Sequence, residues 1–184
     1  MPESNLEASR RGGHDPLLTT VRWLLTALLV VCLILGVFCL LAYPIILLNK
    51  GYFLAGFATT GIPPSAIPWI GVLGVVAAAE LALTYLFLRN LRRMIESVAH
   101  GQPFERINAD RLRRMAWLSV AMQIVAVPMT RLIVWFDALP HKPNVHHNDD
   151  GISIGTILLT LVIFVLARVF RTGAEMQEDL EGTV

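Results

Sequence analysis

The sequence predicts an all-α integral membrane protein: a bundle of four transmembrane helices, both termini cytoplasmic, with helices two and three extended into a cytoplasmic hairpin. Three observations lead there. Of the 184 residues, 55% are hydrophobic and only 16% charged, against about a quarter charged in soluble domains. The apolar residues gather into four long runs. The positive residues fall almost wholly on alternate connections between those runs.

The first run, Trp23 to Leu48, contains no charged residue and exceeds the roughly 20 residues a spanning helix needs. It is also longer than the roughly 7–15 residues of a signal-peptide core, and Cys39-Leu40-Leu41-Ala42-Tyr43 is a poor cleavage site. A retained anchor is therefore expected. The second span, 67–88, is interrupted only by Glu80, and the third, 115–136, by Arg131. The fourth, 152–170, is completed by Val169 and Phe170 if Arg168 snorkels.

Orientation follows from the short flanks. Arg10, Arg11 and Arg22 precede the first span, and Arg89, Arg92, Arg93, Arg106, Arg111, Arg113 and Arg114 separate the second and third. Arg168 and Arg171 close the fourth, making twelve on one side against Lys50 and Lys142 on the other. Both termini and the central connection are thus expected in the cytoplasm, as an even number of spans requires.

Residues 1–20 are polar and aperiodic and read as a disordered cytoplasmic lead; residues 21–171 form the transmembrane domain and 172–184 an acidic tail. The outer connection 51–68 is apolar but broken by Pro63, Pro64 and Pro68, so it should lie along the interface rather than among lipid tails. Helix two should run to about Ala99, stopped by Gly101 with Pro103 beyond. Helix three should begin with Asn108 as N-cap and Asp110 in its first turn. Between Arg89 and Arg114 seven arginines stand against three carboxylates, whereas after Arg168 two arginines stand against four. Opposite signs on one face leave two readings open, a tail packed on the hairpin or arginines meeting anionic headgroups. Small residues at Gly74, Ala78 and Ala82, and at Gly151 and Gly155, favour close helix contacts.

Glu80 and Arg131 are expensive inside a bilayer and are functional candidates by default. Gln123 lies at nearly the depth of Glu80, and the Cβ directions bring Glu80 and Arg131 toward one another. An ion pair or shared polar site is one reading. The other is a lone protonated Glu80 bonded to Gln123, with Arg131 bent back to the outer interface. Beside these, Thr84, Thr156 and Thr160 supply polarity within the spans, a thin basis for a solute path. In the outer loop, His141, His146, His147 and Asp149 are weak metal candidates, because adjacent histidines in a Pro/Asn/Asp loop lack the fixed i,i+4 geometry of a preformed site. The near balance of 15 basic and 14 acidic residues gives no case for direct nucleic-acid binding. Two cysteines within an apolar run supply neither a disulfide scaffold nor a thiolate zinc site. No nucleophile with a base, phosphate loop or hydrolytic carboxylate pair is legible, so neither an enzyme nor a cofactor is expected.

Gly101-Gln102-Pro103-Phe104, Asn108-Ala109-Asp110-Arg111-Leu112-Arg113, and the ending from Leu166 through Arg171 and Glu175 to Val184 resemble a bacterial family of small membrane proteins, domain-of-unknown-function family 2975. The resemblance spans roughly helices two to four. It implies a four-helix inner-membrane protein without assigned catalysis, encoded beside a short Cro/C1-type helix-turn-helix regulator that the membrane protein would hold or release. It carries over no active site. The docking surface suggested by combining the residues with the resemblance comprises Pro103, Phe104, Asn108, Arg111, Arg113 and Arg114 of the hairpin and Glu175, Glu178 and Asp179 of the tail. The expected function is a non-enzymatic regulatory or interaction protein in contact with lipid and a cytoplasmic partner. The alternative is a small transporter or immunity-type protein using Glu80, Gln123 and Arg131. The sequence sets no oligomeric state.

Overall fold

The computed structural model describes residues 16–49, 67–99, 105–137 and 154–181, together with 51, 52, 56 and 65. It contains four long helices: α1 (Pro16–Leu48), α2 (Ile67–Ala99), α3 (Arg106–Asp137) and α4 (Ile154–Glu181). Each is long and apolar enough to cross a membrane.

The helix ends have local causes. Helix α1 begins at Pro16 rather than near Val21, because proline has no N–H to lose at a first helical position and its φ is already helical. Residues 16–20 therefore belong to α1 and not to an aperiodic lead. At its other end, Asn49 donates both its backbone N–H and its Nδ2 to the Ile45 carbonyl, each at 3.1 Å. That supplies donors to one of the carbonyls a helix end leaves open. Helix α3 starts at Arg106, so Asn108 lies inside its first turn and is not the N-cap. Helix α4 runs unbroken to Glu181. The predicted tail is the continuation of α4, since Ala174, Glu175, Met176 and Gln177 favour helix and carry it about 15 Å beyond Arg171. Gly101 and Pro103, read as the stop after α2, lie outside the described residues, although α2 does end at Ala99.

The helices pack antiparallel, and the substantial contacts join neighbours in sequence: α1 with α2, α2 with α3, α3 with α4. The expected bundle is therefore opened into a row, with α1 and α4 each flanked on one side. In lipid no hydrophobic effect draws helices together. The exposed Leu, Ile and Val residues of α1 and α4 instead fit contact with acyl chains.

Small residues bring α1 and α2 together. Gly71 is buried in α2, and a Cβ there would lie 2.6 Å from Cδ2 and Cε2 of Tyr43; a Cβ on Gly74 would lie 3.0 Å from the Cys39 carbonyl oxygen. Ala78 continues the buried side, whereas Ala82 is exposed. Gly155 is also exposed, so the small-residue motif at the start of α4 makes no close contact there; Gly151 lies outside the described residues. At the opposite end, Leu112, Met115 and Ala116 of α3 form a core with Ile163 and Ala167 of α4, and Phe87, Leu91 and Met94 of α2 pack against it.

Candidate functional site

Two levels of the row carry polar chemistry, and the aromatic residues provide a ruler for them. Trp69 at the start of α2 packs against Trp135 at the end of α3, ring centroids 5.8 Å apart and planes tilted by 53°. Trp117 lies 18 residues before Trp135, a rise of about 27 Å, close to the roughly 30 Å of a hydrocarbon core. Tryptophan at both levels is the pattern of membrane interfaces. Beyond Trp117 lies an end rich in arginine; beyond Trp135 the helix ends two residues later at Asp137.

Glu80 is 11 residues from Trp69 and Gln123 is 12 from Trp135, so both lie about 16–18 Å from the paired tryptophans and level with one another. Glu80 Oε2 and Gln123 Nε2 are both buried, and neither has a hydrogen-bond partner. The structure thus places the two groups at one depth without joining them. Arg131 does not complete the set. It is four residues from Trp135 and therefore about 10 Å nearer the aromatic end than Glu80. Its residue is exposed, and it forms no ion pair with Glu80 among the described residues. The threonines lend no support to a path. The Thr84 hydroxyl donates to the Glu80 carbonyl at 2.9 Å and the Thr160 hydroxyl to the Thr156 carbonyl at 2.8 Å. Each satisfies its hydroxyl within its own helix.

At the charged end, side chains tie each pair of neighbouring helices. Arg22 of α1 reaches Glu96 of α2 at 3.6 Å, and Arg92 meets the same carboxylate at 3.0 Å. Asn108 is fully buried and donates through Nδ2 to Ser97 Oγ at 2.8 Å, while Ser97 donates to Glu105 Oε2 at 3.4 Å. Arg111 Nη1 donates both to Asn108 Oδ1 and to the Arg93 carbonyl, each at 3.0 Å. Arg106 of α3 pairs with Glu178 of α4 at 2.9 Å, and Arg171 with Glu175 at 3.3 Å. Ala174, just before the two glutamates, is only 2% exposed. The distal part of α4 is therefore packed on α3, which is the first of the two readings left open for the acidic tail.

These contacts sort the expected docking residues. Asn108 is a buried tie between helices and offers no side chain to a partner, which corrects its assignment to a docking surface. Arg111 is half-buried in the same network. Arg113, Arg114, Glu175, Glu178 and Asp179 are exposed at this end. Pro103 and Phe104 lie outside the described residues, as do His141, His146, His147 and Asp149. Among the described residues, no group of three or more His, Cys, Asp or Glu side chains is arranged to hold a metal. Sequence reasoning missed Ser97, whose hydroxyl links α2 to α3, and the grouping of Arg89, Arg93 and Arg114 around one cavity between those helices. The i,i+4 spacing of Arg89 and Arg93 was the available signal for the latter.

A family model described as a protein of unknown function (DUF2975) matches residues 53–184, more than half of the chain and all of α2, α3 and α4. No curated protein and no solved structure matches the chain.

Proposed function

The chain belongs to this family of unknown function, and from that premise we propose a non-enzymatic multi-pass membrane protein that presents its charged end to a cytoplasmic protein. The observation that carries the reading is the continuation of α2, α3 and α4 beyond the membrane level as one tied assembly. From Trp117 to Arg106 is about 16 Å of α3, and from Arg168 to Glu181 about 20 Å of α4. The distribution of twelve arginines against two lysines supports N-in, C-in orientation in a bacterial inner membrane. A small helix-turn-helix regulator is the partner that the family resemblance suggests, held by the exposed Arg113 and Asp179 region.

The packed Ala174 makes substitution a cleaner test than removal of residues 172–184. The detergent-solubilised protein, purified by affinity from its own cells, is expected to bring down a small helix-turn-helix protein. Arg113→Glu combined with Asp179→Arg should lose it. Recovery of identical proteins with both baits, or of no protein with either, would overturn the reading.

A second reading rests on the unpartnered Glu80 and Gln123 atoms, which suit a polar site for a transported solute. It predicts that Glu80→Gln abolishes the cellular phenotype while leaving partner recovery unchanged. An intact phenotype in Glu80→Gln removes it.

A further inference from the structure

We propose that the cavity between α2 and α3 at the charged end is a headgroup site for an anionic phospholipid of the phosphatidylglycerol class. The cavity measures about 500 Å³ and is bordered by Arg89, Arg93, Arg114, Asn90, Trp117 and Leu86. Three arginines from two helices line it, with no acidic residue at its wall. Among the described residues, none of the three is paired with a carboxylate. Guanidinium groups bind phosphate oxygens through paired N–H donors.

Depth identifies the source of the phosphate. Measured along the helices from the Trp69–Trp135 pair, Arg89, Arg93 and Arg114 lie 20, 24 and 21 residues away, or about 30, 36 and 32 Å. A hydrocarbon core of about 30 Å ends there and the phosphate layer begins. Leu86 and Trp117 stand on the apolar side of that boundary, next to where glycerol and the first acyl carbons would lie. Basic pockets between transmembrane helices at this depth are a recognised form of anionic-lipid site. The neighbouring cavity between α3 and α4 also holds Arg113, Arg168 and Arg171, but Asp110 lines it and Arg171 is committed to Glu175. Of the two, the α2/α3 cavity is the one whose wall holds no carboxylate.

Native mass spectrometry of the full chain, released from nanodiscs of equal phosphatidylglycerol and phosphatidylcholine, tests this. The wild type should retain phosphatidylglycerol preferentially. Arg89→Gln, Arg93→Gln and Arg114→Gln should each lower that preference by about five-fold, the factor expected for one basic residue near an anionic surface. Arg113→Gln with Arg168→Gln should lower it by less than any one of those three variants. The single variants, each checked for wild-type helix content, keep the test open if the triple variant does not fold. Three results would overturn the proposal: unchanged preference in the α2/α3 variants, an equal loss in the Arg113/Arg168 control, or displacement of the lipid by millimolar inorganic phosphate.

Discussion

Replacing Asn108 by alanine should destabilise the helix assembly rather than merely weaken a surface contact. Its side chain is fully buried, donates to Ser97 of α2, and accepts from the Arg111 guanidinium. A neutral hydrogen bond contributes a net of about 0.5–1.5 kcal/mol and one to a charged group about 1.5–3. Asn108→Ala is therefore expected to cost about 2–4 kcal/mol, with Ser97 and Arg111 each left short of one partner. Ser97→Ala should cost about 1 kcal/mol, because it removes the 2.8 Å bond and a long 3.4 Å bond to Glu105. The double variant should then be less damaging than the sum by about 1 kcal/mol, as expected for groups in direct contact.

The assay is reversible unfolding in mixed micelles, followed by far-ultraviolet circular dichroism, with exposed Asp110→Ala as the control. Equal stability of Asn108→Ala and Asp110→Ala would refute the reasoning, and so would strict additivity with Ser97→Ala. Partner capture by the docking surface gives an independent contrast, because a side chain used for recognition would change capture without changing unfolding.

Two further substitutions probe the remaining junctions. Gly71→Ala places a methyl group 2.6 Å from two ring carbons of Tyr43 and 3.0 Å from its Cγ, so swinging the outer ring does not relieve the contact. A loss of about 1–3 kcal/mol is expected, largely recovered by adding Tyr43→Ala, and read in the same micelle unfolding series. At the other end, Glu178→Gln should change stability by no more than about 1 kcal/mol, since both members of the Arg106 pair are more than half exposed. Ala174→Leu should cost more, about 1–3 kcal/mol, because Ala174 is buried. Equal effects at 174 and 178 in that series would contradict the packing of the distal α4.

The four helices were legible because each is written as an apolar run, a property of neighbours in sequence. The ends at Leu48, Ile67 and Ala99 agree with that reading. Asn108 was read as an N-cap from residue type and position, and its actual partner Ser97 stands 11 residues away on another helix. Local pattern holds no record of that partner. The same limit applies to Gly71: the Gly74, Ala78 and Ala82 spacing was visible in α2 but does not include it, and the Tyr43 ring that makes Gly71 intolerant of a side chain belongs to α1. The open row was not legible either. Apolar faces look alike whether they meet helix or lipid, and composition cannot distinguish them. Glu80, Gln123 and Arg131 were visible as outliers, and counting turns placed the first two level. Counting also set Arg131 about 12 Å farther from the inner boundary than Glu80; that the side chains do not bridge this gap required the structure.

That register also weighs the functional readings against each other. Glu80 lies about 16 Å from the paired tryptophans and about 14 Å from Arg89 along α2. A transported polar solute would need further groups along those distances. The Thr84 and Thr160 hydroxyls are turned back to their own helices, and Arg131 is exposed near the aromatic end. Helix association in lipid has no hydrophobic driving force, so the row depends on close packing at Gly71 and Gly74 and on the buried tie at Asn108, with the exposed pairs of Glu96 and Glu178 adding little. Those contacts leave Arg113 and Asp179 outward. A charged surface at that end suits the recognition of a protein, whereas the polar pair at mid-depth is followed toward the charged end by a single uncharged turn, the buried Ser119 four residues from Gln123.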